Sequence, residues 1–224
     1  MITLLELFHW SQLLQPQFYI EHGGLWLLLF VVFAETGLFF GFFLPGDSLL
    51  FVAGIYSAPL VSQIFVTDNE WLNLGILFAF ISVAGILGNY IGYAIGKKVG
   101  PAMYDWKDNI LFKKKYLVQA QEFYDKHGGR AIVIARFIPI VRTFAPIVAG
   151  IVAMDKKKFV YFNVVGCLAW VASMLCAGHF LQAWILNQFQ FDLKNHLEVI
   201  VLGIVLVTTL PVIVNVMTHR SRKS

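Results

Sequence analysis

The sequence predicts an all-α membrane protein, an inverted repeat of a re-entrant helical hairpin plus a transmembrane helix, with amphipathic interfacial helices and a C-terminal transmembrane helix. Three observations lead there. First, 58% of the 224 residues are hydrophobic and 13% charged, with a mean hydropathy of +0.72, too apolar for a soluble domain and suited to a single membrane domain, 1–224. Second, residues 1–96 contain no Lys or Arg, and all 17 lie between Lys97 and Lys223. Third, two long apolar stretches are each interrupted by a pair of like charges and by proline: Glu35 with Pro45-Gly46-Asp47, and Arg136, Pro139, Arg142 and Pro146.

The elements follow in order. Residues 1–23 are apolar and aromatic but broken by Glu6, His9, Gln12, Gln15 and Pro16, which predicts an interfacial helix and no cleaved signal peptide. Residues 24–66 are apolar for about two segment lengths with Pro45-Gly46 near the middle, so they predict a first re-entrant hairpin whose ends lie on one side. Residues 74–96 are long enough to cross once and run into Lys97-Lys98, which places that end in the cytoplasm. Within them Gly85, Gly88, Gly92 and Gly96 form a small-residue stripe for close helix packing. Residues 112–127 carry apolar side chains at helical spacing and predict an amphipathic cytoplasmic helix.

Residues 130–154 are too short for two crossings, and a single crossing would put Lys-rich loops on opposite sides. A second re-entrant hairpin is what remains. Residues 159–186 then cross outward and 197–217 return to the basic tail, leaving the C-terminus cytoplasmic. The halves also echo each other. Tyr19 to Gly24 resembles Tyr124 to Gly129, and Phe51-Val52-Ala53-Gly54 resembles Ile147-Val148-Ala149-Gly150. One hairpin opens outward and the other inward, as in transporters whose sites lie between discontinuous helices.

Charged side chains at membrane depth are expensive, and arginine stays protonated. Arg136 and Arg142 are therefore the expected binders of an anionic group, with Glu35 and Asp47 as their ion-pair partners and proton-exchanging groups. Six positions separate the arginines, about 120° on an unbroken helix, but a break at Pro139 lets them converge. Pro45, Gly46, Pro139 and Pro146 are the expected hairpin breaks. His22 and His127 stand before Gly-Gly pairs, as helix caps do. His179, with Cys176 nearby, reads as a packed polar residue before it reads as a proton relay. Five of the six tryptophans fall near segment ends as interfacial anchors do, and Trp170 does not.

Glu35, Pro45-Gly46-Asp47 and Arg136-Phe137-Ile138-Pro139-Ile140-Val141-Arg142, leading to Ala149-Gly150, resemble the motifs of the DedA family, also called the VTT or SNARE-associated domain family. The resemblance covers roughly Gly24 to Leu186. It implies a multi-pass protein of the bacterial inner membrane, often a homodimer, that uses its acidic and arginine pairs in transport driven by the proton motive force. Some members recycle undecaprenyl phosphate, and relatives scramble phospholipids. Arg130, at the hairpin mouth and outside the motif, is a further, lower-ranked substrate-binding candidate.

The function expected is thus a flippase for a phosphate-headed lipid, undecaprenyl phosphate or a phospholipid. Its partners would be the lipid phosphate headgroup, membrane lipids and protons, with no nucleic acid, no cofactor and no metal. A proton-coupled exporter of small cations or drugs is the second transport reading. An intramembrane lipid-phosphate enzyme would need a nucleophile with a positioned base or a metal cluster, and the sequence offers neither, so no enzyme is expected. A purely structural scaffold leaves four buried charges without a purpose.

Overall fold

A computed structural model describes residues 16–38, 41, 44, 46–105 and 114–189. The expected C-terminal helix at 197–217, the basic tail, Pro45, Trp10, Trp106 and residues 1–15 of the expected interfacial helix lie outside the described residues.

Among the described residues the chain is all-helical: α1 (Pro16–Gly37), α2 (Gly46–Ile55), α3 (Ser57–Val61), α4 (Glu70–Asp105), α5 (Lys114–His127), α6 (Arg130–Ala135), α7 (Pro139–Ile151) and α8 (Lys156–Phe189). Two of these are long and apolar enough to cross a membrane, over Glu70–Ala102 and Lys156–Gln188. At 1.5 Å per residue each is about 50 Å long, well beyond the hydrocarbon core of about 30 Å. The stretches Gly24–Gly37, Gly46–Ile55 and Val141–Ile151 are apolar but shorter.

Local signals set the ends. Asn69 Oδ1 accepts from the amides of Trp71 (3.0 Å) and Leu72 (3.2 Å) and so caps α4, and Asp155 Oδ1 accepts from the Lys158 amide (2.9 Å) and caps α8. α1 is interrupted at Gly24, whose φ of 56° only glycine adopts without penalty. α7 ends in a Schellman arrangement: the Met154 amide donates to Ala149 O and the Ala153 amide to Gly150 O (both 3.0 Å). The left-handed position is held by Ala153, with φ 53°. Pro146, expected to break the second hairpin, does not, because α7 runs on to Ile151. The ring removes only the one amide that would have bonded Arg142 O, and the flanking turns hold the helix.

The long helices run antiparallel, since Trp71 meets His179 (5.9 Å between ring centroids) while Tyr93 stacks on Phe159 (4.3 Å). Lys97 and Lys98 therefore share an end of the pair with Lys156–Lys158. The glycine stripe of α4 serves the close packing that its spacing suggested. A Cβ on Gly88 would press on Phe33 O (2.6 Å), and one on Gly85 on Cys167 Sγ (2.9 Å).

Two further crossings share one pattern. Phe51 and Gly54 of α2 face Leu175 and Gly178 of α8, each glycine lying where a Cβ would collide with the opposing carbonyl of Leu175 or Phe51. Ile147 and Gly150 of α7 face Tyr93 and Gly96 of α4 in the same way. Among the short helices, α1 packs on α4 and α6 on α8, while α2 crosses to α8 and α7 to α4.

Apolar side chains fill the space on either side of a polar centre. Leu25, Leu28, Leu49, Leu50, Leu77 and Ile81 with Val171 and Leu175 form one cluster. Tyr93, Tyr124, Ile132, Ala149 and Phe159 form the other.

Candidate functional site

Between the clusters α1, α2, α6 and α7 bring four charges together against α4 and α8. Glu35 stands in the last turn of α1 and is 2% exposed. Its carboxylate lies where a side chain on Gly46 would have to go, so only glycine fits the first position of α2. Asp47 follows in the first turn of α2, where the helix N-terminus favours a carboxylate.

The arginines are positioned by the interruption between α6 and α7. Arg136 ends α6, Ile138 is extended (φ −109°, ψ 108°), and Pro139 opens α7. A residue preceding proline is driven out of the helical region, so the helix register restarts between the two arginines. Both guanidiniums then reach the Trp170 ring, Arg136 Cζ at 5.4 Å and Arg142 Cζ at 5.0 Å from its centroid.

Their partners differ. Arg142 forms ion pairs with both Glu35 and Asp47, one through each terminal nitrogen. The Trp170 Nε1–H donates to the same Asp47 oxygen at 2.9 Å. Arg136, 4% exposed, makes no ion pair among the described residues. Its Nη1 donates instead to Asn163 Oδ1 at 3.0 Å, and Asn163 Nδ2 donates to Ile86 O at 3.2 Å.

Asn89 completes the node. With its NH2 toward Asn163 Oδ1 (2.6 Å), that group also faces the guanidinium, donor against donor. Rotated, its oxygen accepts from Arg136 Nη2 (2.9 Å) and its NH2 donates to Thr36 O (3.1 Å), and that oxygen then lies 2.6 Å from Asn163 Oδ1, so two amide oxygens crowd onto one cation that both approach.

A cavity of ≈ 10 Å³, about the room one water needs, lies among Glu35, Thr36, Asn89, Arg136, Arg142, Thr143 and Trp170. Glu35 Oε2 and Arg142 Nε are buried without a hydrogen-bond partner among the described residues, so the polar capacity of the site is not used up. The site is buried, and Arg142 is paired within it.

Arg130 is exposed at the start of α6 and is not part of this cluster. His179 meets Trp71 and Phe180 and stands apart from the four charges. At the end of α5 His127 Nδ1 lies 3.0 Å from Phe123 O, followed by Gly128 at φ 58°, as a helix end requires. Asn89 and Asn163 were missed in the sequence, although an amide inside a long apolar helix is itself a signal. Trp170 had stood out only as the tryptophan away from a segment end.

Residues 44–180 match the VTT domain, a span that holds Asp47, both arginines, both asparagines and Trp170. Over 204 residues the sequence is 36% identical to Protein DedA of Escherichia coli K12, covering 90% of this chain and 87% of the relative. The chain belongs to the DedA family of membrane proteins. A further likeness is to an uncharacterized membrane protein of Mycobacterium tuberculosis H37Rv, 34% identical over 219 residues, 95% of this chain and 90% of the relative. The inner membrane protein YqjA of Escherichia coli K12 is 32% identical over 162 residues, 71% of this chain and 68% of the relative. No solved structure matches the chain.

Proposed function

We propose that this protein moves a phosphate-headed lipid, undecaprenyl phosphate or a phospholipid, across the bacterial inner membrane in a cycle coupled to the proton motive force, and makes or breaks no covalent bond. The observation that carries the reading is the pair of buried guanidiniums on one indole, of which Arg142 alone holds both carboxylates. Guanidinium forks suit phosphate oxygens. A headgroup arriving at the cavity competes with Glu35 and Asp47 for Arg142. A carboxylate that loses its cation in an apolar site is more stable neutral, so headgroup binding draws in protons and headgroup release returns them.

In this reading α1–α2 and α6–α7 are re-entrant hairpins of an inverted repeat, a relation supported by the matched glycine crossings of α2 on α8 and α7 on α4. The lysine-bearing ends of α4 and α8 are cytoplasmic. Export of a cationic solute is disfavoured, because the carboxylates it would use already hold Arg142.

The test is transport of a fluorescent phosphate-headed lipid in proteoliposomes with an imposed pH gradient, comparing wild type with Glu35→Gln and Asp47→Asn. Wild-type flux should follow the gradient, and the amide variants should lose that dependence. Flux that ignores the gradient in wild type, or dependence kept by both variants, removes proton exchange through these carboxylates.

A further inference from the structure

Building on that reading, the geometry points to a division of labour between the arginines: Arg136 is the first seat of the phosphate group, and Asn163 and Asn89 are the residues that keep it available. Both carboxylates are committed to Arg142, so an anion approaching that guanidinium meets two negative charges before the positive one. Arg136 is equally buried, but its direct polar partners are neutral amides and the indole face. An amide oxygen orients a guanidinium without cancelling its charge. The cation thus stays ordered with no carboxylate among the described residues in contact with it, on the wall of a cavity that also touches Arg142.

Asn163 does this from α8 and Asn89 from α4. Each fixes Arg136 to one of the two long helices, while Arg142 is tied through Glu35 and Asp47 to α1 and α2. Phosphate held by Arg136 is then one indole away from Arg142, which it reaches as the carboxylates let go. Asn163 and Asn89 act through Arg136 and are positioning residues that set anion selectivity.

The experiment is binding of hexyl phosphate, with inorganic phosphate in parallel, to the full chain in nanodiscs by calorimetry, together with Tm. Wild type should bind hexyl phosphate and gain Tm from it. Asn163→Asp is nearly isosteric but places a carboxylate on Arg136. It should keep or raise Tm in the absence of ligand, through the new ion pair, and yet lose about tenfold or more in hexyl phosphate affinity. A merely structural asparagine would not move stability and affinity in opposite directions. Asn89→Asp should behave alike and serves if Asn163→Asp does not fold.

Affinity equal to wild type in either aspartate variant overturns the assignment and leaves the transport reading standing. So does a joint fall of Tm and affinity in both. Absence of hexyl phosphate binding in wild type, or inorganic phosphate bound as tightly, overturns the lipid-phosphate reading itself.

Discussion

Two arginines six positions apart have opposite electrostatic situations. Arg142 spends its charge on two carboxylates, each on a different nitrogen, with Trp170 holding one of them from the far side. An ammonium cannot span both partners as the planar fork does. Arg142→Lys is therefore expected to reduce lipid transport by about tenfold or more at normal expression, although the charge is kept. Full activity would leave only a point-charge role. Trp170→Phe keeps the ring between the guanidiniums but removes the N–H donated to Asp47. The loss of a hydrogen bond to a charged group should lower unfolding free energy by about 2 kcal/mol in a denaturation experiment. No change would mean that the indole nitrogen is dispensable.

At the scale of the helices, stability rests on close backbone approaches. Gly96 lies in the middle of an apolar helix, where alanine is ordinarily better by about 1 kcal/mol. Here its Cβ would run into Ile147 O of α7. Because a backbone carbonyl cannot rotate away, Gly96→Ala should destabilise by about 1–3 kcal/mol, and the same sign is expected at its counterpart, Gly178. A neutral or stabilising result in thermal unfolding would show that α7 can shift on α4. Ala153 offers the reverse case. It holds the left-handed position of the Schellman cap after α7, so Ala153→Gly should raise stability by about 1 kcal/mol, visible as a higher Tm. The glycine stripe on α4 was legible because a spacing of three to four residues marks a helix face. Which helices fill that face was not, since a small residue invites any close neighbour.

At the scale of the molecule, α4 and α8 form an antiparallel pair. Lysines cluster at one end, and Val83, Leu87, Ile91, Ile95 and Val99 form an exposed apolar stripe along α4. Exposed aliphatic side chains at four-residue spacing suit hydrocarbon contact, and in the proposed orientation the lysines mark the cytoplasmic end. A cysteine introduced at Lys98 or at Lys157 should resist an impermeant maleimide in intact cells, whereas one at Asp68, before α4, should react. Labelling at Lys157 but not at Lys98 would refute the shared side and with it the re-entrant second hairpin.

The sequence by itself determined the membrane class and picked out the four charges that the fold brings together, because burying an ionised group in an apolar run is costly enough to stand out in a single chain. It also located the interruption at Pro139, since proline acts on its immediate neighbours. Only the tertiary structure decided who pairs with whom. Glu35 meets Arg142 across 107 positions, and Trp170 meets Asp47 across 123. Helices buried on several faces carry no periodicity that encodes such contacts, and charge alone does not say which arginine receives both carboxylates. That choice was made where the end of α1 and the start of α2 meet Arg142 of α7, which left Arg136 to two asparagines and an indole.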